Sequence, residues 1–412
     1  MKNWEPVLLN KQIIKSAKER IDIINNIIIE KSDSVEDLTL YTGKLGICLF
    51  LYYYSLVNKK NNIWEEYFYN LNTDISNLST TNCDYYVTCN INFVWLLSHL
   101  YKIKALDIAD IDIYLKEYDE IFYDLMKKYI KDNSYDLLYG ATQIATYFLN
   151  RYKHKPEKYK KFLNAYLELL YTQADKLSHN KLAWKSMIDK SAPHILGYNL
   201  GLAHGIPSLI MFFSKLIQAG FQHPLLNEIL TGTCKYMLSI EQDFQKYKSH
   251  FGIRLLPGQK KNEMSRIGWC YGDLGIGYAF LHASKYDENK KLQLKNKSIE
   301  IIEDTFNRIS QKETLIVDNC LCHGTSGVAL IYDMISKNLN DQKCKKLASY
   351  WYTKTIEQSF DYNYYAGYKI YKGNYKYESD LSFLSGISGI GLSLISAIYP
   401  VKPDWCEFIM LC

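Results

Sequence analysis

Two kinds of segment alternate along the chain, and together they predict an all-α protein. Short stretches are apolar on nearly every side, which is typical of helices buried inside a protein. Longer stretches between them carry apolar residues at helical spacing and charged residues elsewhere, which is typical of helices at a surface. The apolar stretches are residues 47–56, 92–101, 144–150, 208–219, 275–286 and 389–397. The amphipathic stretches are residues 12–31, 64–76, 112–130, 156–176, 225–247, 290–310 and 341–359.

A short glycine motif introduces the apolar helices and recurs six times. Each copy has a Gly, two further residues and often a second Gly, and the first glycines are Gly43, Gly140, Gly205, Gly272, Gly324 and Gly386. A seventh repeat, at residues 92–101, has lost its glycines. Repeats of this length stack or close into rings. A ring of about seven helical hairpins buries the apolar helices inside the amphipathic ones, so the sequence predicts a double α/α toroid, formed by residues 1–412 as a single domain.

Two segments interrupt the repeat. Residues 249–265 are polar and contain Gly252, Pro257 and Gly258, which predicts loop or short strands. Residues 362–379 alternate aromatic and polar side chains around Lys372-Gly373-Asn374, which predicts a β-hairpin. Because both segments flank the starts of apolar helices, we expect them to form a lip over the axial cavity.

Composition excludes several classes of protein. The net charge is +5, and no cluster of Lys and Arg with interleaved aromatic residues indicates a nucleic-acid partner. No stretch has the length needed for a transmembrane segment, and the N-terminus has no apolar signal region. Ten cysteines in a chain without a secretion signal favour free thiols and metal ligands over disulfides. We therefore expect a cytoplasmic protein.

Two cysteines and a histidine occupy matching positions in neighbouring copies of the motif. We call the residue two positions before the first glycine the slot residue; Cys270 and Cys322 are slot residues, and His323 follows Cys322. In a ring these side chains meet near the axis, where two thiolates and an imidazole would bind Zn²⁺ and leave a fourth position open. The alternative is two buried thiols and a core histidine. Cys320 is a competing ligand, although it lies two residues outside the register.

Three other residues near the same axis are candidates for catalytic roles. His204 has the position of His323 in an earlier repeat, so it could act as a general acid or base. Asp136 precedes the third apolar helix and could orient an imidazole, although an isolated Asp there is also a common helix cap. Arg266 could pair with that acid or stabilise a developing oxyanion. Alternatively, His204 is a core histidine and Arg266 a surface charge.

The motifs resemble the signatures of a known family. Arg266-Ile267-Gly268-Trp269-Cys270-Tyr271-Gly272, Leu321-Cys322-His323-Gly324 and Gly201-Leu202-Ala203-His204-Gly205 are similar to those of the lanthionine synthetase C-like family, the lantibiotic cyclases. The resemblance covers essentially the whole chain and departs from the pattern at Gln143 and Ser208, where glycines are expected. It implies a double α-toroid with one Zn²⁺ held by Cys270, Cys322 and His323. It also implies an active site lined by Asp136, His204, Arg266 and Tyr271.

The resemblance also implies an activity. Stand-alone bacterial members act on a ribosomal precursor peptide whose Ser and Thr have already been dehydrated. They add Cys thiols to dehydroalanine or dehydrobutyrine and so form thioether rings. Family members work beside a dehydratase and an export transporter, at the inner face of the membrane.

Three other functions compete with this interpretation. Relatives in animals keep the zinc site but handle thiol peptides or glutathione without forming rings. A toroidal glycoside hydrolase would need two carboxylates flanking the scissile bond, whereas Asp136 has no evident partner. A structural zinc site has four protein ligands, and only three are in register.

Overall fold

The computed structural model describes residues 4–58, 62–78, 83–107, 111–188, 194–256, 258 and 263–412, and most of them are helical. In chain order the α-helices are α1 Lys11–Lys31, α2 Lys44–Val57, α3 Ile63–Ser76, α4 Cys83–Lys102, α5 Ile111–Lys131, α6 Ala141–Tyr152, α7 Pro156–Gln173, α8 Ile206–Gln218, α9 Leu226–Ser239, α10 Phe244–Tyr247, α11 Asp273–Ala283, α12 Leu294–Asp304, α13 Gln311–Thr314, α14 Thr325–Leu339, α15 Gln342–Glu357 and α16 Ile387–Ile398. The prediction of an all-α protein is confirmed.

Buried and amphipathic helices alternate as the sequence pattern indicates. Every residue of α6, α11 and α16 is buried, whereas α1 buries one face only. The repeat that lacks glycines lies in α4, where Phe93, Val94 and Trp95 are buried. Each buried helix of the series α2, α4, α6, α8, α11, α14 and α16 follows an amphipathic one. Among the described residues, no helix combines the length and hydropathy that crossing a membrane requires.

The chain forms two compact units. The first comprises Met1–Leu97, Ile316–Glu407 and Leu411–Cys412, and the second comprises Ser98–Leu315 and Phe408–Met410. In the first unit, α16 packs against α1, α2 and α14, and α14 packs against α15. In the second, α8 packs against α6, α9 and α11, and α11 packs against α12. Within each unit, therefore, buried helices of successive repeats are neighbours.

Backbone hydrogen bonds join the slot residues of successive repeats. In the first unit, Cys322 N–H donates to the Leu384 carbonyl (2.9 Å), and Leu384 N–H donates to that of Tyr41 (3.0 Å). In the second unit, Ala203 N–H donates to the Cys270 carbonyl (3.3 Å). The register read from the sequence thus corresponds to a regular pattern of contacts between the loops that precede the buried helices.

A second repeated position shapes these loops, and the sequence interpretation missed it. We call the residue six positions before the first glycine the turn residue. In four repeats it is Asp or Asn, and one side-chain oxygen accepts the backbone N–H two residues on, at 2.7–3.1 Å. These turn residues are Asp37, Asn199, Asp318 and Asp380. Asp and Asn favour this local turn because their short side chains reach their own backbone.

The strands are short and all pairs are antiparallel. They are β1 Asp175–Leu177, β2 Lys181–Ala183, β3 Ser186–Met187, β4 Leu196–Asn199, β5 Arg254–Leu255, β6 Ile370–Gly373 and β7 Lys376–Glu378. β1 pairs with β2, β4 pairs with β3 and β5, and β6 and β7 form a hairpin. β5 lies in the segment 249–265, of which residues 257 and 259–262 are outside the described residues, and the hairpin lies in the segment 362–379. The sequence interpretation missed β1 to β4.

Several amphipathic helices are shorter than predicted. The stretch 225–247 forms α9, which ends at Ser239, and then the separate turn α10. Asp243 starts that turn, because its side chain accepts the N–H groups of Gln245 (2.9 Å) and Lys246 (3.3 Å). The stretches 156–176 and 290–310 also end early, at Gln173 and Asp304.

Candidate active site

His204 and Asp136 form a hydrogen-bonded pair in the second unit. His204 Nδ1 lies 2.6 Å from Asp136 Oδ2. The other carboxylate oxygen, Oδ1, accepts the backbone N–H groups of Leu138 (2.6 Å) and Tyr139 (3.1 Å). Because N–H groups hold Oδ1, the carboxylate cannot turn away from the imidazole. The two side chains keep 29% and 23% of their surface exposed, so the pair is accessible to a substrate.

Two tyrosine rings lie close to the His204 imidazole. The Tyr139 ring stacks at 6.4 Å between centroids with an interplanar angle of 16°, and the Tyr271 ring is tilted at 6.1 Å. The sequence analysis included Tyr271 among the candidate residues but not Tyr139, although Tyr139 has the position of His204 in its own repeat. With 45% of its surface exposed, the Tyr139 side chain is accessible to a molecule that reaches His204.

Asn199 holds the hydroxyl group of Tyr271. Its Oδ1 accepts the Gly201 N–H (2.9 Å), and its Nδ2 donates to the Tyr271 hydroxyl oxygen (3.1 Å). A backbone N–H can only donate, so the orientation of the Asn199 amide is fixed. The Tyr271 hydroxyl therefore accepts from Asn199, and its own hydrogen points in another direction. The sequence analysis missed Asn199; its place as a turn residue is the signal that could have revealed it.

The loop of Cys270 ends in a sharp turn at Gly272. Gly272 has φ +117° and ψ 174°, a region that is essentially limited to glycine, and an added Cβ would overlap the Arg266 carbonyl oxygen. The backbone is further held by a bridge between Ile267 and Gly272. Cys270 is 6% exposed and Arg266 is half-buried. The tight turn thus fixes the backbone on both sides of Cys270.

Cys322 and His323 lie in the first unit, next to a buried carboxylate. Asp318 Oδ2 is 3.3 Å from His323 Nε2 and also accepts the Tyr371 N–H (3.0 Å). Burial opposes ionisation of Asp318, but the His323 ring and the Tyr371 N–H outweigh it and lower the pKa of the carboxyl group. Cys322 and His323 are both partly exposed. Their donor atoms, a thiol sulfur and an imidazole nitrogen, are of the kinds that Zn²⁺ prefers.

Cys320 differs from the cysteines of the predicted ligand set. It is fully buried, and its sulfur accepts the His323 backbone N–H at 3.4 Å. Burial and the nearby Asp318 charge raise the pKa of its thiol to about 11, which favours the protonated form. The donor atoms of Asp318, Cys320 and His323 nevertheless lie within 4.8 Å of one another, so these three residues form a second candidate metal group.

A third group that could hold a metal lies in the second unit and was not predicted. The donor atoms of Glu241, His250 and Glu300 lie within 4.8 Å of one another. The Lys297 ammonium already forms ion pairs with both glutamates, at 3.0 Å from Glu241 and 2.8 Å from Glu300. With an ammonium already paired to both carboxylates, a network of ion pairs describes the cluster better than a metal site.

Similarity to known proteins indicates both a family and a fold. The family model described as lanthionine synthetase C-like protein matches residues 34–410. The solved structure of nisin cyclase is similar, with a TM-score of 0.69 and 18% sequence identity over 98% of each chain. At this identity the structural match establishes the fold, and it confirms the α/α toroid predicted from the sequence. The comparison with curated proteins found no match.

Proposed function

Because this chain belongs to the lanthionine synthetase C-like protein family, we propose that it is a peptide cyclase. Its substrate would be a ribosomal precursor peptide in which Ser and Thr have been dehydrated to dehydroalanine and dehydrobutyrine. The reaction would add a Cys thiol to the β-carbon of such a residue in the same peptide and form a (methyl)lanthionine ring. The observation that carries the proposal is the accessible His204–Asp136 pair, because the addition requires a proton carrier.

Cys270, Cys322 and His323 are the side chains that would hold a zinc ion. Slot residues of successive repeats are joined by backbone hydrogen bonds within each unit, and Cys270 and Cys322 are the slot residues of two successive repeats. Two thiolates and one imidazole suit Zn²⁺ and leave a position for a substrate sulfur. Bound zinc would lower the pKa of the substrate thiol, since the thiolate is the form that attacks.

His204 would supply the proton that completes the addition. When the sulfur bonds to the β-carbon, the electron pair of the carbon–carbon double bond moves to the α-carbon and carbonyl as an enolate. Asp136 accepts a hydrogen bond from Nδ1, so Nε2 is the atom that exchanges a proton with the substrate. Nε2 of neutral His204 would take the proton that the substrate thiol loses, and the Asp136 carboxylate would stabilise the imidazolium that forms. Transfer of this proton from Nε2 to the α-carbon then restores neutral His204.

Tyr271 and Arg266 would stabilise the enolate. The Tyr271 hydroxyl accepts from Asn199, so its hydrogen can be directed to the enolate oxygen. Arg266 would contribute a fixed positive charge, which stabilises developing negative charge more strongly in a site that excludes water. The residues of this mechanism remove no water from Ser or Thr, so a dehydratase would act before the cyclase, and an export transporter would act on the product at the inner face of the membrane.

Elemental analysis and a cyclisation assay together test the proposal. Wild type and Cys322→Ala are purified without added metal, and thioether formation in the dehydrated precursor peptide is followed as the loss of thiols that can be alkylated. We expect about one zinc per chain in wild type, with ring formation, and loss of both in the variant. Zinc without ring formation would favour a protein that binds thiol peptides. A folded wild type without zinc would contradict the proposed ligand set.

A further inference from the structure

The buried carboxylate of Asp318 is surrounded by hydrogen-bond donors. Its side chain is fully buried. Oδ1 accepts the Cys320 N–H (3.1 Å), and Oδ2 accepts the Tyr371 N–H (3.0 Å). The third neighbour is His323, whose Nε2 lies 3.3 Å from Oδ2. Because the two backbone groups are fixed by a loop and by β6, the orientation of the carboxylate is fixed before any ligand binds.

This arrangement selects one tautomer of His323. A carboxylate can only accept hydrogen bonds, so Nε2 must carry its hydrogen and the lone pair is at Nδ1. We propose that Asp318 is a positioning residue, which makes Nδ1 of His323 the metal-binding nitrogen and strengthens it as a ligand. Histidines that bind metals through one nitrogen commonly donate from the other to a carboxylate in this way. The inference rests on the proposed zinc site.

The glycine after His323 makes room for this carboxylate. An added Cβ on Gly324 would lie 2.5 Å from Asp318 Oδ1, which is closer than atoms that are not bonded to each other can approach. Glycine in the sequence Cys322-His323-Gly324 is thus required by the approach of Asp318 as well as by that of the Cys320 backbone nitrogen, which would be 2.2 Å from the added Cβ. Since Tyr371 belongs to β6, the same carboxylate also attaches the β6–β7 hairpin next to His323.

Asp37 makes it possible to distinguish the local role of a turn aspartate from the effect of Asp318 on His323. Asp37 is the turn residue of the first repeat, and its Oδ1 accepts the Thr39 N–H at 2.8 Å just as Asp318 Oδ1 accepts the Cys320 N–H. Its Oδ2, however, bonds the hydroxyl groups of Thr39 and Thr42. Thr42 has the position that His323 has in its own repeat. Asp37→Asn is therefore a matched control for Asp318→Asn.

Zinc affinity, measured by competition with a chromophoric chelator, tests the proposal without any peptide substrate. In Asp318→Asn the amide keeps an oxygen for the Cys320 N–H but presents an NH₂ group to His323, which favours the wrong tautomer. We expect zinc binding to weaken about 10- to 100-fold in this variant, and to stay within about threefold of wild type in Asp37→Asn. Cys320→Ser should also bind zinc like wild type, because Cys320 is outside the ligand set.

The tautomer of His323, observed in the wild-type protein, gives a second test. ¹⁵N-histidine NMR of the zinc-loaded protein, assigned with His323→Gln, should show hydrogen on Nε2 and metal on Nδ1. Hydrogen on Nδ1, or wild-type affinity in Asp318→Asn, would overturn the inference while leaving the zinc site intact. Loss of zinc in Cys320→Ser would instead make Asp318, Cys320 and His323 the ligands. A wild type that binds no zinc would overturn the proposed function as well.

Discussion

Nδ1 of His204 lies 2.6 Å from Oδ2 of Asp136, and two backbone N–H groups hold the other oxygen of that carboxylate. The imidazole is thereby fixed in direction and in tautomer, with Nε2 directed away from Asp136. A rigid pair of this kind can move one proton between an attacking thiol and an enolate.

Asp136→Asn should slow ring formation strongly without removing the metal. The amide oxygen can still accept the Leu138 and Tyr139 N–H groups, but its NH₂ group would face His204 Nδ1 and favour the wrong tautomer. We expect the rate to fall about 10²- to 10⁴-fold, with unchanged zinc content. The measurement is the rate of thiol loss in the precursor peptide. Asp124→Asn, at an exposed position on α5, is the control, and an undiminished rate in Asp136→Asn would remove the pair from the mechanism.

Asn199→Asp should act through Tyr271. The new carboxylate keeps the bond from the Gly201 N–H, but its second oxygen would accept the Tyr271 hydroxyl hydrogen that the mechanism directs to the enolate. We expect a loss of rate of about 10-fold or more, similar to that of Tyr271→Phe, because one transition-state hydrogen bond is removed in each case. The double variant that combines Asn199→Asp with Tyr271→Phe should be no slower than either single variant. Additive losses would show that Asn199 and Tyr271 act independently.

Gly272→Ala should destabilise the fold by about 3 kcal/mol or more, since alanine does not tolerate φ +117° and its Cβ would overlap the Arg266 carbonyl. Gly275→Ala is the matched control. Gly275 lies in α11, and its added Cβ would be 3.2 Å from the nearest atom, the Trp269 carbonyl oxygen, so we expect a change of about 1 kcal/mol or less. Urea unfolding of both variants measures the difference. Equal stabilities would mean that the loop can adopt another conformation, and the turn would then not explain the position of Cys270.

Helices and register were predictable because their signals are local. Apolar residues at every turn of α6 or α16 can only be buried, and a glycine such as Gly272 marks a conformation that other residues avoid. The six copies of the motif align without gaps in their central positions, so Cys270, Cys322 and Leu384 could be assigned to equivalent positions before any contact was known.

The supporting residues were not predictable from a single copy of the motif. Asp and Asn occur in many loops, and nothing within one repeat distinguishes Asp318 or Asn199 from an ordinary turn former. In each of them one side-chain atom forms the local turn, and the other contacts a functional residue: Asp318 contacts His323, and Asn199 contacts Tyr271. Which atom makes which contact depends on the backbone geometry. The His250 cluster was also missed, because Glu241 and Asp304 come from separate elements and share no periodic pattern with it.

His250 is enclosed by charged groups from three elements. Its Nδ1 is 2.7 Å from Glu241 and its Nε2 is 2.8 Å from Asp304, while its backbone N–H donates to Asp273 at 3.0 Å. Lys297 pairs with Glu241. Burial by itself would lower the pKa of His250, but the three carboxylates outweigh it and raise the pKa above 6.5. The imidazolium form therefore stabilises the folded state.

The sign of the pH dependence follows from this raised pKa. The contribution of His250 is fully present below pH 6.5 and is lost as the pH rises through its pKa in the folded state. We expect His250→Gln to lower the free energy of unfolding by about 3 kcal/mol at pH 6, and the deficit should shrink toward alkaline pH. Burial raises the pKa of Asp273 to about 6, so its own titration affects only the acidic end of this pH range. Urea unfolding of both proteins between pH 6 and 9 measures the difference; parallel profiles would mean that His250 is neutral in the folded protein.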